Sequence, residues 1–152
     1  MRRAAKAVAA AGGIAVLLGA APAVAAGSPV LDDYILKWQD DAKVDCKKPQ
    51  TTYEIDVCAG RDYKKDYAAL AALYGRLYAK YDAANRKALE ASQRAWNTYQ
   101  AAECDYETET TAGGTIHSTM VTMCDATLAL ERIKRLKAQA DCSEGDLSCN
   151  HP

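Results

Sequence analysis

Six cysteines, Cys46, Cys58, Cys104, Cys124, Cys142 and Cys149, constrain this chain of 152 residues more than any other feature. Their meaning depends on the compartment, and the N-terminus speaks to that. Arg2, Arg3 and Lys6 form a basic start, followed by the short apolar run VAAAGGIAVLLGA and then Pro22-AVAA, an A-x-A-like cleavage pattern. That order predicts a signal peptide over residues 1–26, too short in its apolar part for a comfortable membrane span. The mature chain, residues 27–152, is then expected to be exported, periplasmic or secreted, without a membrane span. In an oxidising compartment an even number of cysteines reads as a disulfide framework. Six cysteines can pair in many ways. The simplest arrangement joins neighbours, Cys46 with Cys58, Cys104 with Cys124 and Cys142 with Cys149, so that each bridge closes one local loop.

Cleavage also shifts the charge. The leader holds three of the 19 basic residues and none of the 20 acidic ones, which leaves the mature chain at about −4. A nucleic-acid role needs a basic surface and is disfavoured, whereas a basic protein partner would be attracted. About 125 mature residues suit a single domain.

The mature sequence predicts an all-α protein, a small disulfide-stapled helical bundle with a central antiparallel helix hairpin. Leu31, Ile35, Trp38 and Ala42 share one face of a first helix. After the break at Cys46-Lys47-Lys48-Pro49, Thr51 and Glu54 form a capping-box pair that opens a second helix running to about Asp82. Its apolar stripe is Leu70, Leu73, Tyr74, Leu77 and Tyr81. A third helix carries Leu89, Gln93, Trp96, Tyr99 and Cys104. The Thr-rich segment around Gly113-Gly114 predicts a loop from Ala112 to Thr119. A fourth helix from about Ser118 places Val121, Cys124, Leu128, Ile133 and Leu136 inward. No run alternates well enough for a strand.

Catalytic chemistry finds little support. A nucleophilic cysteine needs a free thiolate, and paired cysteines offer none. The acids Glu103 and Glu107, and Asp105 and Glu109, sit four apart on a helix end, a spacing usual for a solvated face. Cys142 and Cys149 with Asp141, Glu144, Asp146 and His151 contain zinc-type ligands. Their spacing matches no strong zinc signature, and a small disulfide loop explains the cysteines, so neither a metal nor a cofactor is expected. Nine Tyr and two Trp with no Phe place most rings in the core with hydroxyls reaching outward. Tyr74, Trp96 and Tyr99 read as core, while Tyr106, beside the loop, reads equally well as a partner contact. The stretch SQRAWNTYQAAEC sets Gln93, Trp96 and Gln100 on one face with Arg94 turned away. That is the pattern of a packed helix seam with satisfied amides, closed by Cys104.

Taken together, these residues resemble the LprI-type lysozyme inhibitor domain of exported bacterial proteins. The resemblance rests on Cys46 and Cys58, Leu70 and Tyr74, Leu89, Gln93-Arg94-Ala95-Trp96 with Tyr99 and Cys104, Gly113-Gly114-Thr115-Ile116, Cys124, and Leu128, Arg132 and Leu136. It covers about residues 45–137 and leaves a stapled tail, 138–152, outside. The chain departs from the family pattern at Ala71, Gln100 and Ala129. The resemblance implies a non-enzymatic protein that binds a basic lysozyme. The loop would enter the substrate cleft, with Thr115, His117 and Ser118 hydrogen-bonding the catalytic carboxylates and Tyr106, Asp105, Glu107 and Glu109 around it for contact and steering. Two alternatives stand beside this. Gly113-Gly114 serves as a mere turn between helices, or the protein is an envelope-associated binding or structural module with no lysozyme target, its ligand being cell-wall glycan or another exported protein. The oligomeric state is left open.

Overall fold

The computed structural model describes residues 40–143 and 145–150. Three helices carry the fold, and no strand occurs among the described residues. The predicted signal segment and most of the first predicted helix lie outside them; at the edge of that prediction, Ala42 and Lys43 form a turn.

Helix α1, Thr52–Lys80, begins as its sequence predicts. The Glu54 amide donates to Thr51 Oγ1 at 3.2 Å, and Glu54 Oε2 accepts from the Thr51 amide at 3.1 Å. Two of the four unpaired N–H groups at the helix start are thereby satisfied. The helix stops at Lys80, where Tyr81 turns extended. Asp82 then caps helix α2, Ala83–Thr108, by accepting from the Asn85 amide at 2.8 Å. Only two residues separate the helices, so the chain must reverse at once. Arg86 secures the corner, donating from Nε to the Tyr78 carbonyl at 2.8 Å and lying over the Tyr78 ring. A 3-10 turn, Glu109–Thr111, and a short loop lead into helix α3, His117–Ala140.

The direction of α3 follows from its contacts. Thr119 meets Asp56 at one end, and Leu136 and Leu77 line one cleft at the other. Helices α1 and α3 therefore run parallel, with α2 antiparallel to both. The hairpin of α1 and α2 is present, but α1 packs most extensively on α3, which also rests against α2.

The predicted stripe of α1 is buried in full: Leu70, Leu73, Tyr74, Leu77 and Tyr81 join Tyr63, Tyr67, Leu89, Ala129 and Leu136 in the main cluster. Fully burying a leucine or similar side chain contributes about 1.5–3 kcal/mol, so this stripe anchors the bundle. A second cluster, Cys104, Cys124 and Leu128, sits near the loop end, and Trp96 packs against both clusters. The three bridges join neighbours: Cys46–Cys58, Cys104–Cys124 and Cys142–Cys149. The first ties the entry segment to α1, and Arg61 reinforces it with bonds to Asp40 Oδ1 at 2.8 Å and the Val44 carbonyl at 2.9 Å.

Two sequence expectations need correction. Tyr99 is not core: it is 49% exposed. The buried stripe of α2 runs through Leu89, Gln93, Asn97, Gln100, Cys104 and Thr108, which turns Tyr99 outward and leaves Trp96 at the flank. The loop is also shorter than expected, because His117, Ser118 and Thr119 form the first turn of α3.

Candidate functional site

The residues singled out for partner binding gather at one pole, where α2 ends and α3 begins. Threonine hydroxyls shape the turn between them. Thr108 Oγ1 donates to the Cys104 carbonyl at 2.7 Å, and Thr111 Oγ1 donates to the Thr108 carbonyl at 2.7 Å. The Thr108 carbonyl is among the last of α2, which have no partner within the helix itself. The Thr111 carbonyl then accepts from the Gly114 amide at 2.9 Å. Gly113 sits at φ +76°, in the left-handed region where a side chain is strained. A Cβ on Gly114 would lie 3.1 Å from the Thr111 carbonyl oxygen, so the turn calls for glycine at 113 and leaves little room for a side chain at 114.

His117 is half-buried, with Nδ1 3.0 Å from Thr111 Oγ1. The single hydroxyl hydrogen of Thr111 is committed to the Thr108 carbonyl, so Nδ1 carries the ring proton and donates. Nε2 is then the acceptor of the neutral imidazole. The start of α3 has no side-chain cap of its own. Instead Asp56, from the first turns of α1, accepts from Thr119 Oγ1 at 2.9 Å and lies 3.4 Å from Ser118 Oγ. A carboxylate at this place also complements the positive end of the α3 dipole. The Cys104–Cys124 bridge spans the turn, which is thus fixed on both sides.

The chemistry outside this scaffold is acidic and apolar. Asp105, Glu107 and Glu109 are exposed at the end of α2, and Thr115 is exposed in the loop. Glu107 Oε2 lies 3.3 Å from the Cys124 sulfur, a contact without a proton because that sulfur is bridged. Tyr106 is 79% exposed, and Tyr99, seven residues earlier, shares its face of the helix. Met120 and Met123 expose further apolar surface on the first turns of α3. From Ala95 to Glu131 the sequence holds six carboxylates and no Lys or Arg. Sequence reasoning found the loop acids but missed this run. It also missed the two methionines, whose signal was an i, i+3 pair off the buried stripe.

Asp125 lies just inside the same pole, buried on α3. Burial first, and the nearby charge of Asp105 second, push its carboxyl up to about 6, while the Gln100 amide pulls weakly the other way. Between the helices, the buried face is polar: Gln93 Nε2 donates to Asn97 Oδ1 at 2.9 Å, and Gln100 Nε2 to the Asp125 carbonyl at 3.1 Å. Arg94 points away and pairs with Glu90 at 3.0 Å, as its position on the helix implied. At the far end, the Cys142 and Cys149 sulfurs lie close to Asp146, but they are bonded to each other. Glu144 and His151 lie outside the described residues.

Over residues 45–136 the chain matches the family described as Lysozyme inhibitor LprI. It is also similar to an uncharacterized protein of Rhizobium meliloti (strain 1021), 26% identical over 113 residues that cover 66% of this chain and 81% of that protein. No solved structure matches.

Proposed function

Because the chain belongs to the LprI lysozyme inhibitor family, we propose that it is an exported protein that binds a basic lysozyme non-covalently and acts by occupying it. The observation that carries this reading is the turn itself, fixed by a disulfide and threonine bonds and flanked by the exposed acids of α2, with no Lys or Arg in the sequence from Ala95 to Glu131. Such a surface attracts a basic enzyme over a distance, and a fixed turn loses little conformational freedom on binding. Thr115 and Ser118 offer hydroxyls to the two carboxyl groups that glycoside hydrolysis requires, and His117 Nε2 offers an acceptor to the protonated one of the pair. Tyr106, with its large exposed ring, is the anchor. Asp105, Glu107 and Glu109 steer.

The test is inhibition of a basic, animal-type lysozyme by the mature oxidised protein at low and at physiological salt. Inhibition that weakens with salt is expected. Tyr106→Ala should weaken it about tenfold or more, and Asp105→Asn with Glu107→Gln and Glu109→Gln should slow association and flatten the salt dependence. If His117→Ala and Gly114→Trp both leave inhibition unchanged, the loop is only a connection between helices. A folded protein that inhibits at neither salt would point instead to an envelope-associated binding module.

A further inference from the structure

At the opposite pole, where α1 ends and α3 reaches the tail, a cleft of about 500 Å³ opens between the helices. Leu77, Tyr81, Leu89 and Leu136 form its apolar wall, and Arg132, Arg135 and Ser92 its polar one. The volume lies within the range of small-molecule sites, which combine apolar lining with a few placed polar groups.

Arg132 is the unusual part. It is only 8% exposed, yet its hydrogen-bond partners are neutral: Nε donates to Gln93 Oε1 at 3.1 Å and Nη2 to Ser92 Oγ at 2.9 Å. The ion pairs among the described residues are Arg61 with Asp40 and Arg94 with Glu90, so no described carboxylate compensates Arg132. A buried charge without a counter-charge is costly. Arg135 adds a second positive charge on the same cleft wall, and burial together with that charge disfavours the ionised form of Arg132. An anion in the cleft would relieve both.

The tail supplies the remaining wall. Gln139 holds it, donating from Nε2 to the Ser148 carbonyl at 3.3 Å and accepting from the Asn150 amide at 3.1 Å. Ser148 and Asn150 line the cleft; the Cys142–Cys149 bridge closes the loop that carries Ser148, and Asn150 follows directly on it. A stapled tail with this placement completes a pocket.

We propose that this cleft binds a small amphiphilic carboxylate, its carboxylate against the guanidinium groups of Arg132 and Arg135 and its apolar body against Leu77, Leu89 and Leu136. Arginine suits the task because its planar fork can meet a carboxylate with two bonds. This site is remote from the acidic pole and does not depend on lysozyme recognition.

Titration of the full mature protein with octanoate, 1-octanol and inorganic phosphate, followed by calorimetry and by the shift in thermal midpoint, tests the proposal. Octanoate should bind saturably and raise the midpoint. Octanol, with the chain but no charge, and phosphate, with charge but no chain, should each bind about tenfold more weakly or worse. Arg135→Gln, at an exposed position and so compatible with folding, should lower octanoate affinity about tenfold while leaving octanol unchanged. Replacing Cys142 and Cys149 by serine should also weaken octanoate, by releasing the wall. Octanoate that leaves the folded protein unchanged at millimolar concentration would overturn the proposal. So would octanol or phosphate binding as well as octanoate, or octanoate affinity indifferent to Arg135→Gln.

Discussion

Asp125 sits behind the acidic pole with its carboxyl pushed up to about 6, by burial and by Asp105. Unfolded, the same group titrates near its ordinary value of about 4. Between those limits the folded state holds the proton more tightly, so this residue's contribution to stability declines as pH rises and is poorest above 6. Asp125→Asn keeps the shape and removes the charge. Its gain over wild type should be near zero at pH 4 and about 1–2 kcal/mol at pH 8, after allowance for partial solvent screening. Urea unfolding of both proteins at the two pH values measures it, and a difference that does not change with pH would refute the assignment. Gln93 and Gln100 were legible in the sequence as the inner face of their helix. Asn97, Asp125 and Arg132 were not, because their burial follows from partners on another helix. Tyr99 was misplaced for a related reason: the size of a ring outweighed the position of its Cα, whereas packing followed the narrower 4-3-4 stripe of Gln93, Asn97, Gln100 and Cys104.

Among the elements, the start of α1 and the start of α3 make an instructive pair. Thr51 and Glu54 announce α1 in four consecutive residues, because both halves of a capping box are local. The start of α3 carries no such mark: Ile116 precedes it, and the compensating carboxylate comes from Asp56, more than sixty positions earlier. The opening of α1 is therefore legible from its own residues, whereas the expected loop runs too far into α3. This makes Asp56 the more diagnostic residue. Asp56→Ala should cost about 1 kcal/mol, the usual loss for a hydrogen bond between side chains, and raise amide exchange in the first turn of α3 above that elsewhere in the helix. It should also reduce lysozyme inhibition, since His117 and Ser118 sit on that turn. Hydrogen exchange with unchanged protection across His117–Met123 would show that the disulfide alone holds the turn.

For the molecule as a whole, the up-down-up arrangement separates two ends of opposite character. One end is the acidic turn beside Cys104–Cys124, and the other the cationic cleft of Arg132 and Arg135 with the stapled tail. Nearest-neighbour pairing was the simplest reading of the cysteines, and the chain adopts it because each partner lies at the junction that its bridge closes. The parallel packing of α1 on α3 was not legible, since periodicity tells which face is inward but not which helix lies there. From Leu89 at one end of α2 to Cys104 at the other is about fifteen residues, roughly 22 Å of helix. Charges that far apart are screened at physiological salt, where the Debye length is about 8 Å. Distant sites without shared partners act additively to within about 0.5 kcal/mol. Tyr106→Ala should therefore weaken inhibition without changing octanoate binding, and Arg135→Gln should do the reverse. The double variant should show the two losses combined with no further interaction. If octanoate shifts the lysozyme titration, or Arg135→Gln alters it more than twofold at physiological salt, the two ends are coupled through α2 and α3. The bundle would then transmit between its poles rather than merely hold them apart.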